Sequence, residues 1–385
     1  MPDEIQREKK KVCHLTVLNP ARHSRIFYKE AISQARAGYR VSIIGQDPAK
    51  VPYTENGVKI IPIPPFNRKS FSRYSSRKLI TKLARDEAAD CYQVHTPELL
   101  KAASNLKKER PGIRLIYDMH EDYYMNIRYG EAYPPLLRNF IAAIVRNSEK
   151  KYSRNFDRII YAEDCFELRG FDPASAKTIR NKFVPLPKQL PSSPLPATGR
   201  PVLLYTGTIS RTWGIFRAIG TWQRINKEIP TDLVVAGFTF DTELLKAIEE
   251  IVSASGLNQN FFLIGGYEYV PFEMILSLIQ QCTAGLAFYR IQDHIRDRIP
   301  TKFYEFMAAG KPLFFSSNPA WNEMNNKWNF GTSVEFPASD DTIWQMAAIL
   351  RESGKSKPKE IPPEAWSWAA EEPELISLLD GLWES

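Results

Sequence analysis

Lys302 and Glu305 stand three residues apart in the run Ile299-Pro300-Thr301-Lys302-Phe303-Tyr304-Glu305-Phe306-Met307-Ala308-Ala309-Gly310-Lys311-Pro312. Pro300 suits the first turn of a helix, where its missing N–H costs nothing. Gly310 followed by Pro312 stops that helix. Phe303, Phe306 and Met307 recur at helical spacing and make the buried stripe, so Lys302 and Glu305 fall on a neighbouring face. A helix N-terminus offers free N–H groups and about half a positive charge. The amides of Thr301 and its neighbours, with Lys302, suit a phosphate; Glu305 suits two vicinal hydroxyls. Together that is chemistry for a phosphorylated sugar. The same spacing also makes an ordinary exposed ion pair worth about 0.2–0.5 kcal/mol, and spacing alone does not choose between the two.

A second titratable group is Tyr117-Asp118-Met119-His120-Glu121-Asp122, at the end of an apolar run. Sites in α/β folds form at the carboxyl ends of strands, and Asp, His, Glu and Asp within five positions favour a site over a lone structural histidine. His95 ends another short strand, where lining a site and a structural place beside the following helix are equally open. Arg22 and Arg25 follow the first strand and suit an anionic partner. In the later segment Tyr205-Thr206-Gly207-Thr208-Ile209-Ser210-Arg211-Thr212-Trp213-Gly214, Gly207 permits a tight turn and Gly214 precedes a helix whose N–H groups face anions. Arg211 lies in that loop, and Arg290, Arg296, Asp297 and Arg298 precede the Pro300 helix. No Asp-x-Asp triplet occurs, so no divalent-metal site is indicated.

The elements that must position these groups alternate strand and helix along the chain. Val12–Leu18, Val41–Ile44, Val58–Ile63, Cys91–Val94, Ile113–Tyr117 and Arg158–Tyr161 read as strands. Helical patterns fall between them, at Ile26–Ala37, Ser76–Arg85, Pro97–Lys108 and Leu136–Ser153. Five prolines crowd residues 184–200, forbidding helix and central strand. The rhythm then restarts at Val202–Tyr205 and runs to Leu313–Ser316. The expected fold is α/β: two doubly wound Rossmann-like domains facing each other across a cleft. The boundaries read 1–190, a proline-rich linker at 191–200, a second domain at 201–362, and residues 363–385 as a terminal helix returning to the first domain. Its leucines 375, 378, 379 and 382 recur on one face.

Charge divides unevenly. Residues 1–197 carry 35 Lys+Arg against 21 Asp+Glu, and the rest carry 16 against 23. Basic residues cluster at Arg68, Lys69, Arg73, Arg77, Lys78, Lys82 and Arg85, and again at Lys107, Lys108, Arg110 and Arg114. An acidic lipid surface or a lipid-pyrophosphate acceptor fits such a half; the plain alternative is solvated helix faces. Nucleic acid is disfavoured, since no zinc-finger, RRM or helix-turn-helix pattern accompanies the charge. There is no run of 18 apolar residues, and Met1 to Lys11 lacks an apolar signal core. Four scattered cysteines without metal spacing point to buried free thiols in a reducing, cytoplasmic setting, with contact to the inner face of a membrane left open.

The 299–312 segment resembles the signature of retaining family 4 glycosyltransferases of the GT-B fold: an acidic residue, seven spacers and a glutamate, here Asp297 and Glu305. Tyr117-Asp118-Met119-His120-Glu121 resembles the Tyr-Asp-x-His-Glu motif of one subset. Val94-His95-Thr96-Pro97-Glu98-Leu99-Leu100 is similar to that subset's His-Asp-Pro-Glu-Leu-Leu, and Arg25-Ile26-Phe27-Tyr28-Lys29-Glu30 to its first helix. The resemblance implies a nucleotide-diphosphate sugar as donor, with no metal or other cofactor. It implies catalytic roles for His120, Asp297 and Glu305, and donor binding by Gly207, Arg211, Arg298, Thr301, Lys302 and Glu305. The acceptor side falls to Arg22, Arg25, His95 and Glu121, with a glycolipid or polysaccharide as acceptor in polysaccharide biosynthesis. Three departures stand out. Thr208 and Trp213 occupy places where the family has basic residues, and Asn19–Ser24 replaces a glycine-rich loop. A catalytically silent GT-B nucleotide- or glycan-binding protein, a nucleotide-sugar epimerase and a polyanion-binding module are the alternatives.

Overall fold

The structure is a computed structural model that describes residues 10–66, 72–129, 133–169, 175–185, 195–239, 241–353 and 360–384. Arg68, Lys69 and residues 186–194, the last four of which open the proline-rich linker, lie outside the described residues. The chain forms two compact units, Met1–Val184 with Trp368–Ser385, and Pro185–Ser367.

Among the described residues the first unit holds a sheet of eight strands: β1 (Lys11–Pro20), β2 (Arg40–Gln46), β3 (Tyr53–Glu55), β4 (Val58–Ile63), β5 (Cys91–Val94), β6 (Arg114–Met119), β7 (Arg158–Tyr161) and β8 (Ala176–Thr178). Their order is β3-β4-β2-β1-β5-β6-β7-β8, parallel throughout except for the β3–β4 edge hairpin. The short edge strands β3 and β8 escaped the sequence reading because three residues carry no periodicity. Side chains alternate across the sheet. Cys13, Leu15, Tyr92, Val94, Tyr117 and Met119 feed one buried core, and Val12, Cys91 and Ile116 feed the core on the other face. The same alternation sends His14, Gln93 and Asp118 to the face of Val12.

That face is covered by the helix Ser24–Arg36 and by the C-terminal residues Trp368, Leu375, Leu378, Leu379 and Leu382. Residues Ser24–Ala31 wind as a π-helix before the tighter turn Ile32–Arg36. The wide winding brings side chains five apart together, and Arg25 meets Glu30 at 3.1 Å. The return to the first unit starts at Trp368; the short helix Pro363–Trp366 packs on the helix Thr301–Ala309 within the second unit.

The second unit holds β9 (Val202–Thr208), β10 (Asp232–Phe238), β11 (Phe261–Gly266), β12 (Ala284–Ala287), β13 (Leu313–Ser316) and β14 (Gly331–Val334). All are parallel, in the order β11-β10-β9-β12-β13-β14. The order reverses between β9 and β12, the switch point where such folds open a crevice at the strand ends. Helices Pro319–Trp328 and Asp340–Ser353, which the sequence reading left unassigned, complete this unit.

Candidate functional site

In the second unit the helix Thr301–Ala309 starts after Pro300, which adopts an extended conformation as the residue before the first turn. Gly310 closes the helix at φ 63°, a left-handed conformation suited to glycine. Phe303, Phe306 and Met307 are buried, and the Phe303 ring packs against Phe315, Trp321 and Phe330 with centroids 5.1–5.4 Å away. This anchoring leaves Lys302 half-buried over the switch point. Its Nζ donates to the Thr206 carbonyl at 2.8 Å, and lies 5.3 Å and 5.0 Å from the ring centres of Tyr205 and Tyr289. Burial pulls its pKa down to about 8, and Glu305 on the next turn opposes the shift. The exposed ion-pair reading of Lys302 therefore fails for the lysine: its ammonium points down onto the ends of β9 and β12.

Gly207 stands at the end of β9 at φ 91° with open space where a side chain would be. Gly214 precedes the helix Ile215–Glu228, and a Cβ there would lie 1.8 Å from the Phe288 carbonyl oxygen. Trp213 packs edge-on against Tyr289 at 4.9 Å, so this departure from a basic residue fills an aromatic wall around Lys302. Arg211 is exposed and reaches Asp241 at 3.4 Å. Thr301 and Asp297 are exposed, and the Arg298 carbonyl accepts the indole N–H of Trp321 at 2.6 Å.

The first unit gathers four of the protein's five histidines, His14, His23, His95 and His120, around Asp118. Arg25 Nη2 lies 2.8 Å from Asp118 Oδ1, and its Nε donates to both carboxylate oxygens at 3.1 Å. His95 Nδ1 lies 2.8 Å from Asp118 Oδ2, and its Nε2 lies 2.9 Å from His14 Nδ1. The chain continues from His14 Nε2 to Gln34 at 2.8 Å, Gln34 to Gln93 at 2.9 Å, and Gln93 to Glu30 at 2.8 Å. Every member is buried. Burial acts first on Asp118, but Arg25, His120 and His95 outweigh it and hold the carboxyl well below the usual range. Burial pushes His14 down to about 3 and lowers His95 as well.

Arg25 and His95 are thus corrections to the acceptor-side assignment. Both are fully buried and engaged, so neither meets an incoming anion. Arg22 is exposed but paired with Glu55 at 2.9 Å, and Glu121 is exposed beside Asn126. His120 follows the end of β6, nearly buried. Its Nδ1 stands 3.4 Å from Asp118 Oδ2 and its Nε2 3.0 Å from the Asn19 amide nitrogen. His14, Gln34 and Gln93 escaped the sequence reading, which met Asn19 and His23 only as part of the loop that replaces a glycine-rich one. A histidine inside the apolar run Val12-Cys13-His14-Leu15 was the available signal.

Among the described residues two triads, His14/Glu30/His95 and His95/Asp118/His120, have ligand atoms close enough for a cation. They do not suit one, because the Arg25 guanidinium lies against Asp118 and Glu30 and the imidazoles already bond to one another. Cys13, Cys91 and Cys282 are buried free thiols, as expected, and Cys165 is half-buried. No described helix is long and apolar enough to cross a membrane.

The model of Glycosyltransferase Family 4 matches residues 24–163, and that of Glycosyl transferases group 1 matches residues 188–365. No curated protein matches the chain by sequence. Among solved structures, sucrose-phosphate synthase from Thermosynechococcus elongatus is similar at TM-score 0.69 and 16% identity, covering 98% of this chain and 100% of that one. HepE from Anabaena, solved in complex with UDP-glucose, is similar at TM-score 0.63 and 12% identity, covering 97% and 100%. WaaG, a glycosyltransferase involved in lipopolysaccharide biosynthesis, is similar at TM-score 0.59 and 15% identity, covering 96% and 98%. With a family 4 domain followed by a group 1 domain on two parallel-sheet units, the chain is a glycosyltransferase of the GT-B fold.

Proposed function

We propose that the enzyme is a retaining, metal-independent glycosyltransferase that moves a sugar from a nucleotide-diphosphate donor to a glycolipid or polysaccharide acceptor. The observation that carries this reading is the desolvated Lys302 ammonium at the start of the Thr301–Ala309 helix, over the β9/β12 switch point. A cation lowered to about 8 by burial gains most from an anion that restores its charge. The diphosphate is that anion, held by Lys302, the helix N–H groups, and Arg211 and Arg298 from flanking loops. Glu305 binds the ribose hydroxyls. Without a metal, these cations and the helix dipole offset the charge that develops on the leaving diphosphate. His120 orients the transferred sugar; Asp297 supports the helix entry. HepE and WaaG, one solved with UDP-glucose and one acting in lipopolysaccharide biosynthesis, fit this direction.

A thermal-shift screen of nucleoside diphosphates and nucleotide sugars tests the donor reading. One or more should stabilise the protein, and Glu305→Ala should remove most of that shift. An unchanged shift in Glu305→Ala would remove the ribose assignment. Trp213 and Thr208, which leave Arg211 as the one cation of the glycine loop, favour binding without turnover as a second reading; donor that binds and is never consumed would select it.

The acceptor side carries its own surface. On the helix Pro135–Ser153, Leu136 is 96% exposed and Phe140 67%, with Leu137 and Ile144 exposed nearby. Arg138, Lys150 and Lys151 share the helix. Among the other basic residues Arg85 is neutralised by Glu109 and Arg73 by Glu98, while Lys107 and Arg114 pair with Asp157. This apolar ridge with basic flanks suits an anionic lipid surface. Phe140→Asp should cut co-sedimentation with phosphatidylglycerol vesicles about tenfold and leave donor binding intact; equal binding by the variant would sink the membrane reading.

A further inference from the structure

The buried chain in the first unit runs Asp118, His95, His14, Gln34, Gln93, Glu30, with five contacts between six side chains. Each contact needs one hydrogen. A neutral imidazole supplies one along the chain, and so does an amide, whichever way it is turned. Two imidazoles and two amides therefore supply four. With both terminal carboxylates ionised, one contact would set two lone pairs against each other at under 3 Å. The cluster must hold a fifth hydrogen.

We propose that this fifth hydrogen is a proton kept on Glu30 Oε2 and donated to Gln93, with the Gln34 and Gln93 amides each turned over, oxygen for nitrogen, from the arrangement in which Gln34 Nε2 donates to Gln93 and Gln93 Nε2 to Glu30, so that every hydrogen of the chain points toward Asp118; Arg25 then faces a single buried anion, Asp118, and Asp118 is the positioning residue for His120. The role of His120 rests on the glycosyltransferase reading above; the protonation does not. Asp118 is the natural anion, because three N–H contacts from Arg25 converge on it. Glu30 Oε1 receives only the edge of the same guanidinium, at 3.1 Å and outside hydrogen-bond geometry. Two carboxylates sharing one guanidinium in a fully buried site would leave a net negative charge, which a proton removes. Lys29, one turn beyond Arg25 on that helix, is held on the Asn181 carbonyl at 3.1 Å and on its side chain at 2.5 Å. From other elements the cluster meets His14, His95, Gln93 and His120, and Glu371 in the C-terminal segment acts on Arg25 from farther out. Burial and the Asp118 charge both push the Glu30 carboxyl well above its usual range.

The consequence falls on His120. His120 Nδ1 makes no hydrogen bond shorter than its 3.4 Å approach to Asp118 Oδ2, and the charge of an ionised Asp118 draws the ring hydrogen to that nitrogen, so that Nε2 accepts from the Asn19 amide. The ring is held in one tautomer at the end of β6, with His23 stacked at 5.4 Å.

Five histidines make the test practical: the full-length protein is labelled with 15N-histidine, and ring tautomers are read by long-range 1H–15N correlation at neutral pH. The expected spectrum shows His95 neutral with hydrogen on Nδ1, and His120 with hydrogen on Nδ1. Infrared difference spectra should show a protonated carboxylic acid band that Glu30→Gln removes while leaving the histidine signals in place. Asp118→Asn should release His120 into mixed tautomers. A doubly protonated His95 in the unsubstituted protein, or a carboxylic acid band that survives Glu30→Gln, overturns the proton assignment. A His120 tautomer unchanged by Asp118→Asn overturns the positioning role. No donor is present in any arm, so failure of the nucleotide-sugar reading is separate from failure here.

Discussion

Lys302 shows how a single side chain links folding to binding. Its ammonium is covered by Tyr205 and Tyr289 and donates to a carbonyl, so burial lowers its pKa to about 8 from an ordinary 10.5. Between those values the unfolded chain keeps a proton that the folded chain has lost. Stability from this group therefore rises with pH across that window. Lys302→Met should flatten the rise and raise the melting temperature near pH 7, as measured by denaturation at several pH values. The same variant should weaken nucleoside diphosphate binding roughly ten- to a hundredfold, the worth of a charge-assisted hydrogen bond. In the unsubstituted enzyme, diphosphate affinity should fall as pH rises through about 8, measured by calorimetry. An affinity that holds constant from pH 7 to about 9 would remove Lys302 from the donor site.

At the scale of elements, both units place their functional groups by the same device: parallel strands ending at a topological switch, with a helix start or a polar side chain over the gap. In the second unit the device depends on how closely the Ile215–Glu228 helix approaches β12. Gly214 permits that approach, since φ is 82° and any Cβ would collide with the Phe288 carbonyl. Gly214→Ala should cost about 2–4 kcal/mol, the combined penalty of a left-handed backbone and a backbone clash. Chemical denaturation would show it, and a variant of full stability would mean the loop is free to move away. In the first unit the π-helix Ser24–Ala31 is the counterpart. A regular α-helix would separate Arg25 from Glu30 around its circumference, and the polar chain would lose its cation.

At the scale of the whole molecule, the chain builds the first unit from both of its ends. Trp368 donates its indole N–H to Ser33 at 2.9 Å, Asp380 accepts from Tyr39, and Leu375, Leu379 and Leu382 enter the core that also covers the polar cluster. Deleting residues 368–385 should therefore destabilise the first unit selectively. Hydrogen exchange should accelerate in β1, β2 and the Ser24–Arg36 helix, while β9–β14 keep their protection. Uniform loss of protection across both sheets would contradict this division.

The alternation of strand and helix, the GT-B architecture and the Thr301–Ala309 helix were legible in the residues, because periodicity, proline and glycine act locally. The resemblance around residues 117–121 and 299–312 pointed to a glycosyltransferase, and the two domain matches agree. Short edge strands and the π-helix were not legible, since three residues show no period and a 4.4-residue turn breaks the expected one. Nor was the fate of Arg25 and His95. An arginine beside a loop reads as available for a ligand, and only the register of β1, β5 and β6 reveals that it serves a buried carboxylate. Charge and spacing are properties of the chain, whereas burial, which sets whether a charge binds a ligand or a neighbour, arises only when distant segments pack.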